Sequence, residues 1–366
     1  MNKIPQFNPT FTSEDIKSVV DYMNSGSFIT EFKQSRKFEE LLAEYSNTKY
    51  AVLFPNGTLT MYGIIKCLGL SKDATVVVPN FTMAATAFAP MEAGQSIKFV
   101  DVEYPSLTIN TKILKNALEE DPNIKVVMYV AANGREPEEG INKIVQFCRE
   151  KKLILIEDAA QGIGSTYSDG SKLGSISYAS SISFSMPKII TTGQGGVVLT
   201  NEKDFYEKLV KYRDFGRLKS GNDIHNSIGL NFKFTDLQAV LGISQLSQID
   251  KRVQRKKEIY LKYFHSIKSK YINLIPNLST VAPWFIEIET EFREKLIEFL
   301  SLNGIGSRTM YPPLNAQEAF IRHPQYKKSL PISESIGKNG LWIPSSYHLT
   351  NDQIEYISNK INEFSI

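Results

Sequence analysis

Cysteine is scarce in this chain, with only Cys67 and Cys148 among 366 residues. Neither cysteine lies at metal-ligand spacing from another cysteine or a histidine, so the sequence predicts neither a disulfide framework nor a zinc site. Both positions fall in segments with the apolar spacing of amphipathic helices. We therefore expect two buried thiols in a protein of a reducing compartment.

Long apolar runs and blocks of like charge are also missing. No stretch of about 18 apolar residues occurs, and the N-terminal segment lacks the apolar centre of a signal peptide. The 42 basic and 39 acidic residues are well mixed and give a formal net charge of +3. These absences disfavour a membrane or nucleic-acid partner, and they make a cytoplasmic location the expectation.

The chain instead alternates short apolar strands with amphipathic helices. Its length allows two domains with a sizeable core, and 42% hydrophobic residues is ordinary for a globular protein. Near-continuous apolar strands predict an α/β fold with a mostly parallel sheet covered by helices on both faces. The strands are predicted at 50–54, 74–78, 96–100, 124–130 and 153–157. We expect a large domain at 1–250 and a smaller C-terminal α/β lobe at 251–366.

The stretch from Ser181 to Gly196 places one lysine, Lys188, between an apolar run and a Thr-Thr-Gly-Gln-Gly-Gly turn. Its neighbours on both sides have the pattern of buried residues, which a solvated surface charge does not explain. An amine that forms Schiff bases must be partly desolvated, so that its pKa falls toward neutrality. Taken alone, the stretch leaves two interpretations open, a structural glycine-rich turn and a catalytic lysine.

A possible phosphate site follows the first predicted strand. The segment Pro-Asn-Gly-Thr at 55–58 joins strand 50–54 to a helix, and free N–H groups at a helix N-terminus bind phosphate. An ordinary N-cap, in which Asn56 or Thr58 serves only the helix, explains the segment equally well.

A carboxylate, Asp158, ends the strand predicted at 153–157. The alternative role for Asp158 is the N-cap of a helix that begins at Ala159. Ligands of parallel sheets lie beyond the carboxyl ends of the strands, so Gly57, Asp158 and Lys188 are predicted to share one cleft. A lysine, a buried carboxylate and a phosphate cradle are the fixtures that pyridoxal 5′-phosphate requires.

Three ordered motifs carry a family resemblance: Ile-Glu-Asp-Ala-Ala-Gln at 156–161, Ser183 with 188–196, and the run from Gly229 to Leu246. Together they resemble the DegT/DnrJ/EryC1/StrS family of pyridoxal-phosphate-dependent sugar aminotransferases, and the resemblance covers nearly the whole chain. It implies the aspartate aminotransferase-like fold, PLP fold type I, and a homodimer whose active sites are shared between subunits.

The resemblance also implies roles for individual residues. Lys188 would bind the cofactor as a Schiff base, Asp158 would contact the pyridine nitrogen, and Gln161 would lie beside the ring oxygen. The phosphate would be held by Gly57, Thr58, Ser183 and, from the partner subunit, Asn231.

Some positions depart from the family pattern. Met83 stands where an aromatic residue usually stacks on the cofactor ring, and Gln194 stands where glutamate is common. The segment Asn133–Arg135 is similar to that of enzymes that aminate 4-keto-6-deoxyhexoses. One branch of the family replaces the lysine with histidine and is a dehydratase, and Lys188 argues against that branch.

The sequence thus predicts an aminotransferase that moves an amino group from L-glutamate to a keto group, expected at C4, of a nucleotide-linked 6-deoxysugar used in surface glycans. The alternatives are amination at C3 or of another keto-sugar, and a nucleotide-binding module without covalent chemistry. Candidate substrate-binding residues, for which a solvated surface position is the commoner role, are Arg217, Lys219, Lys233, Arg308 and Tyr311.

Overall fold

The larger of two sheets has seven strands, and it carries the predicted cleft. In a computed structural model that describes residues 3–219 and 221–366, the strand order is β1-β7-β6-β5-β4-β2-β3. Only β7 runs against its neighbours β1 and β6, and the remaining pairs are parallel. The mostly parallel sheet is therefore confirmed. The strands are β1 (Tyr50–Phe54), β2 (Thr75–Pro79), β3 (Ser96–Val100), β4 (Ile124–Val130), β5 (Ile154–Asp158), β6 (Ala179–Ser183) and β7 (Gly196–Thr200).

Helices cover both faces of this sheet because successive strand residues point to opposite sides. Val77 belongs to a core cluster with Phe38 and Ile144, whereas its neighbour Val76 belongs to another cluster with Ile64 and Leu209. The helices are α1 (Ser13–Asn24), α2 (Lys33–Ser46), α3 (Gly57–Leu68), α4 (Ala85–Glu92), α5 (Thr111–Glu120), α6 (Ile141–Glu150), α7 (Lys203–Arg213) and α8 (Asp236–Ser247). These two layers confirm the predicted α/β class.

A second, antiparallel sheet forms after helix α9 (Ile249–Ser266), in the order β10-β11-β9-β8. It has its own core, in which Ile288, Leu300 and Ile357 are fully buried. Its strands are β8 (Asn273–Leu274), β9 (Ile286–Glu289), β10 (Arg308–Thr309) and β11 (Gly340–Ile343), and its helices are α10 (Arg293–Leu302), α11 (Glu318–Ile321), α12 (Pro331–Asn339) and α13 (Asn351–Glu363). The domain boundary between residues 250 and 251 stays a prediction, and it falls in the first turn of α9.

The described residues form neither a membrane-spanning helix nor a cluster of metal ligands. Across residues 3–219 and 221–366, no helix is both long enough and apolar enough to cross a bilayer. The same residues contain no group of three or more histidine, cysteine, aspartate or glutamate side chains placed to hold a metal ion.

Candidate active site

Asp158 lies at the carboxyl end of β5, in the middle of the sheet, and is 5% exposed. The hydroxyl of Thr86, on α4, donates a hydrogen bond of 2.7 Å to Asp158 Oδ2, and the Ala160 amide donates one of 3.2 Å to Oδ1. Burial raises the pKa of Asp158 above its usual value, while Thr86, the Ala160 amide and Lys188 act in the opposite direction. No helix begins at Ala159, where the chain forms turns, so the helix-cap interpretation of Asp158 is wrong.

Lys188 lies in the connection between β6 and β7 and is partly buried. Its Nζ atom is 3.9 Å from the ring centroid of Trp284, and the Trp284 Nε1–H donates a 2.7 Å hydrogen bond to the Pro187 carbonyl. Burial lowers the pKa of Lys188 to about 8, with Asp158 opposing the shift and Arg308 adding to it. Lys188 and Asp158 each affect the pKa of the other, so the two groups lie near one another, and their use of one cleft stays a prediction.

A narrow cradle lies where α3 begins. A Cβ atom on Gly57 would lie 3.1 Å from Ser183 Cβ, and a Cβ atom on Gly196 would lie 2.9 Å from the Gly57 nitrogen. The approach to backbone atoms requires glycine at position 196, whereas a side chain at position 57 would be tightly packed and would narrow the cradle.

Not all amide groups in the first turn of α3 make hydrogen bonds within the helix. Asn56 is the N-cap of α3 and accepts a 2.9 Å hydrogen bond from the Leu59 amide, so the N-cap interpretation is correct for Asn56. The amides of Gly57 and Thr58 have no acceptor in the described part of the chain. Capping by Asn56 therefore leaves two donors available beside Ser183, so it is compatible with the predicted phosphate site.

Gln161 joins the two sheets at the cleft. Its Oε1 accepts a 2.7 Å hydrogen bond from the Asn133 amide, and its Nε2 lies 3.4 Å from the Tyr311 hydroxyl. Asn133 in turn exchanges two hydrogen bonds with the backbone of Phe285, beside β9. Burial raises the pKa of the Tyr311 hydroxyl, which therefore stays protonated at neutral pH. Met83, just before α4, is half-exposed.

Two of the predicted substrate-binding residues, Arg217 and Lys233, form a separate cluster around Asp214. Arg217 Nη1 is 2.7 Å and Lys233 Nζ is 3.0 Å from Asp214 Oδ1, and Asn231 pairs with the Asp214 backbone. Lys219 and Asn231 are exposed. Among the described residues of one chain, no side-chain hydrogen bond or ion pair joins this cluster to Lys188 or Asp158.

Arg308 differs from those residues because it lies near Lys188 and lowers the pKa of that amine. Its guanidinium is exposed and lies 5.3 Å from the ring centroid of Trp342. It makes no ion pair with the described acidic residues, whereas Arg217 pairs with both Asp214 and Asp223. Arg308 is thus a cation near the cleft that remains free to bind an anionic group.

Two residues of the site were not anticipated from the sequence. Thr86 was not among the predicted site residues, although its hydroxyl oxygen lies 2.9 Å from that of Thr82, four positions earlier. Trp284 was not among them either, although it is one of just two tryptophans in the chain. That rarity is a signal that could have directed attention to Trp284.

Comparison with known proteins identifies the family of this chain. The family model described as the DegT/DnrJ/EryC1/StrS aminotransferase family matches residues 9–362. The chain belongs to that family. It is therefore an aminotransferase, and the resemblance drawn from the three sequence motifs is confirmed.

Named relatives of this aminotransferase include sugar-modifying enzymes. It is 30% identical to a GDP-perosamine synthase of Escherichia coli O157:H7, with 100% of this chain and 99% of the relative covered. It is 28% identical to a UDP-4-amino-4,6-dideoxy-N-acetyl-beta-L-altrosamine transaminase of Helicobacter pylori, over 93% of this chain and 83% of the relative. Among solved structures, Helicobacter pylori PseC, an aminotransferase of pseudoaminic acid biosynthesis, superposes with a TM-score of 0.93 at 24% identity, over 99% of both chains.

Pyridoxal 5′-phosphate is the cofactor of this aminotransferase, as predicted. The residues described above fit that group. The cleft offers an amine with a lowered pKa, a buried carboxylate and unpaired amides beside a hydroxyl, which are the three features the cofactor requires.

Proposed function

We propose that this aminotransferase transfers the amino group of L-glutamate to the C4 keto group of a nucleotide-linked 4-keto-6-deoxyhexose, giving an amino sugar for surface glycans. The proposed catalytic role of these residues is supported by one observation: Lys188 and Asp158 lie near enough for each to affect the pKa of the other. The substrate class is supported by relatives named for GDP- and UDP-linked amino sugars.

In this proposal the described residues hold the cofactor at both of its ends. Asp158 would accept a hydrogen bond from the pyridine nitrogen, and Lys188 would hold the aldehyde end. Gln161 would lie beside the ring oxygen and Met83 against the ring face. Gly57, Thr58 and Ser183 would bind the phosphate, together with Asn231 of the partner subunit. When bound, pyridoxal 5′-phosphate supplies an electron sink for breaking the Cα–H bond of the donor.

Lys188 is proposed as the group that moves protons. A pKa of about 8 leaves a useful fraction of its amine unprotonated at neutral pH, so Nζ can accept the proton from the donor Cα. The same nitrogen then returns a proton at the sugar carbon in the second half-reaction. The hydrogen bonds that Thr86 and the Ala160 amide donate to Asp158 favour its ionised form against the opposing effect of burial.

Arg308 is proposed to bind an anionic part of a substrate, since it is the predicted substrate-binding cation whose charge lowers the pKa of Lys188. The protonated Tyr311 hydroxyl can donate to a substrate oxygen in the same cleft. We propose that the diphosphate contacts Arg217, Lys219 and Lys233 from the partner subunit of the site that binds it. Binding the nucleotide far from the reacting carbon would orient the ketone for attack.

Thr86 provides a test of the carboxylate's role. We expect Thr86→Val to lower turnover about ten- to one-hundredfold, because a hydrogen bond to a charged group contributes about 1.5–3 kcal/mol. Thr86→Ser keeps the hydroxyl and should retain most of the activity. Steady-state kinetics at saturating cofactor measure both variants, and unchanged turnover in the valine variant would show that Thr86 does not support Asp158.

We propose that the enzyme is a homodimer with shared sites. Two observations support a second copy. Asn231 is exposed, and so are apolar residues of α1, of the segment that follows α1 and of the segment just before Asn231. Ile228 is 91% and Phe28 is 68% exposed. Other exposed apolar residues are Ile16, Val20, Met23, Ile29, Ile224 and Leu230.

Subunit mixing tests the shared site. A Lys188→Ala subunit mixed with an Asn231→Ala subunit should form hybrids in which one of two sites has both native residues. Random pairing predicts recovery of about a quarter of wild-type activity. Lys188→Ala mixed with Asp158→Asn is the matched control and should recover none, because both residues come from the same subunit. A monomeric enzyme, or hybrids without recovery, would contradict the proposal.

The acceptor is tested with a panel of GDP-, UDP- and dTDP-linked 4-keto-6-deoxyhexoses beside the free sugars and simple 2-keto acids. We expect at least one nucleotide sugar to be aminated with L-glutamate, and the free sugars to react about a hundredfold more slowly or not at all. Mass and NMR spectra of the product identify the aminated carbon. Good turnover of 2-keto acids with inert nucleotide sugars would refute the sugar assignment.

A further inference from the structure

A small cavity lies behind the Lys188 connection, between α9 and the segment that follows β11. Lys188 and Trp284 form one wall, and Arg252, Lys256, Ser345 and Tyr347 line the rest. Its volume is about 30 Å³. That volume exceeds the roughly 10–15 Å³ that one water-sized sphere needs, and it is too small for a sugar, a phosphate ester or an amino acid.

The cavity has more buried positive charge than negative charge. Arg252 is 4% and Lys256 is 7% exposed. Arg252 lies 3.5 Å from Asp15, but that carboxylate already accepts hydrogen bonds of 2.6 Å from both Ser244 and Gln245. Among the residues that the structure describes, Lys256 makes no ion pair and donates to the Ser345 carbonyl at 2.6 Å. Burial lowers the pKa of Lys256 to about 7, so the amine is only partly protonated at neutral pH, and a nearby anion would favour its charged form.

Two buried polar atoms of the lining lack a partner. Arg252 Nε and Ser345 Oγ have no hydrogen-bond acceptor or donor among the described residues. Ser345 is fully buried, so bulk water does not reach it. Buried donors without an acceptor are uncommon in folded proteins and destabilise them. Both atoms can donate, and both belong to residues that line the same cavity.

We propose that this cavity binds one small monovalent inorganic anion of halide size, held by Arg252, Lys256 and Ser345. An anion accepts hydrogen bonds from the unpartnered donors and balances the excess positive charge, whereas a cation would meet two buried cations. This site is separate from the Gly57–Thr58 cradle, which lies at the N-terminus of α3.

Thermal unfolding of the holoenzyme at constant ionic strength tests the site in solution. Replacing gluconate, which is too large for the cavity, with saturating chloride should raise the unfolding midpoint by about 1–3 °C. Lys256→Met should abolish that rise. Lys257→Met is the matched control, since Lys257 lies on the same helix but donates to the Ser279 carbonyl, and it should keep the rise. An equal rise in the Lys256→Met variant would overturn the proposal.

Crystals of the wild-type holoenzyme soaked in bromide test the position directly and do not depend on whether a variant folds. We expect an anomalous difference peak between Lys256 Nζ and Ser345 Oγ, and a weaker peak in Ser345→Ala, which keeps both cations. A cavity that holds only water, without an anomalous peak at high bromide concentration, would overturn the proposal. Neither outcome depends on the proposed sugar substrate, because no substrate is present.

Discussion

Replacement of Lys188 with alanine should lower transamination more than about 10⁴-fold, since the variant loses the amine proposed to exchange protons with the donor carbon. Covalent attachment of the cofactor should be lost with it. Borohydride reduction of the wild-type holoenzyme, followed by peptide mass spectrometry, should place the reduced cofactor on Lys188. In the apoprotein, the rate of attachment should rise with pH through about 8, because only the unprotonated amine reacts.

The matched control is Lys188→Arg, which keeps a positive charge near Trp284 but offers no nucleophilic amine. It should be as inactive as the alanine variant while folding normally. Lys256→Met provides a second comparison, because Lys256 is also a buried lysine with a lowered pKa. It should keep the covalently bound cofactor. A reduced adduct on another lysine, or substantial activity of Lys188→Arg, would contradict the assignment.

Replacement of Asp158 with asparagine should lower turnover about 10²–10³-fold, because loss of one preorganised electrostatic group has effects of that size. Asparagine has nearly the same shape and can still accept the hydrogen bond from Thr86, so we expect the fold to be retained. Rapid-mixing kinetics of the glutamate half-reaction, with circular dichroism as the folding check, measure both effects. Near-normal turnover would show that Asp158 only caps the turn that follows it.

The neighbouring carboxylate, Glu157, is a matched control for Asp158. Successive strand residues point to opposite faces, and Glu157 accepts hydrogen bonds of 2.6 Å from Tyr167 and 2.7 Å from the Gly174 amide. Burial raises the pKa of Glu157 to about 7. Glu157→Gln should therefore change turnover much less than Asp158→Asn does. Equal losses in the two variants would indicate a general effect on the sheet rather than on the cofactor.

The strands were the most predictable part of the fold. The predicted bounds of 50–54, 96–100 and 124–130 coincide with β1, β3 and β4, because each is a short segment that is mostly apolar or alternates apolar with polar residues. Helix α5, at Thr111–Glu120, was missed since only Leu114 and Ala117 of its residues are buried. The insertion of β7 between β1 and β6 depends on contacts between distant segments, which local patterns do not encode.

The candidate site was predictable where strand ends supply its groups. Asp158 follows a recognisable strand and Lys188 a recognisable strand and turn, so their convergence could be inferred from the geometry of parallel sheets. Thr86 could not be assigned from the sequence, because its role depends on one side-chain contact across 72 positions. Nor could Arg308 be separated from Arg217, since only the structure shows that Arg217 is already paired.

The most direct measurement of the central claim follows nitrogen from donor to acceptor. The wild-type enzyme is incubated with pyridoxal 5′-phosphate, ¹⁵N-labelled L-glutamate and each nucleotide-linked 4-keto-6-deoxyhexose, and the products are examined by NMR and mass spectrometry. The account predicts ¹⁵N bound to C4 of a sugar that is still linked to its nucleotide. Label found only in amino acids, with every nucleotide sugar unchanged, would contradict it.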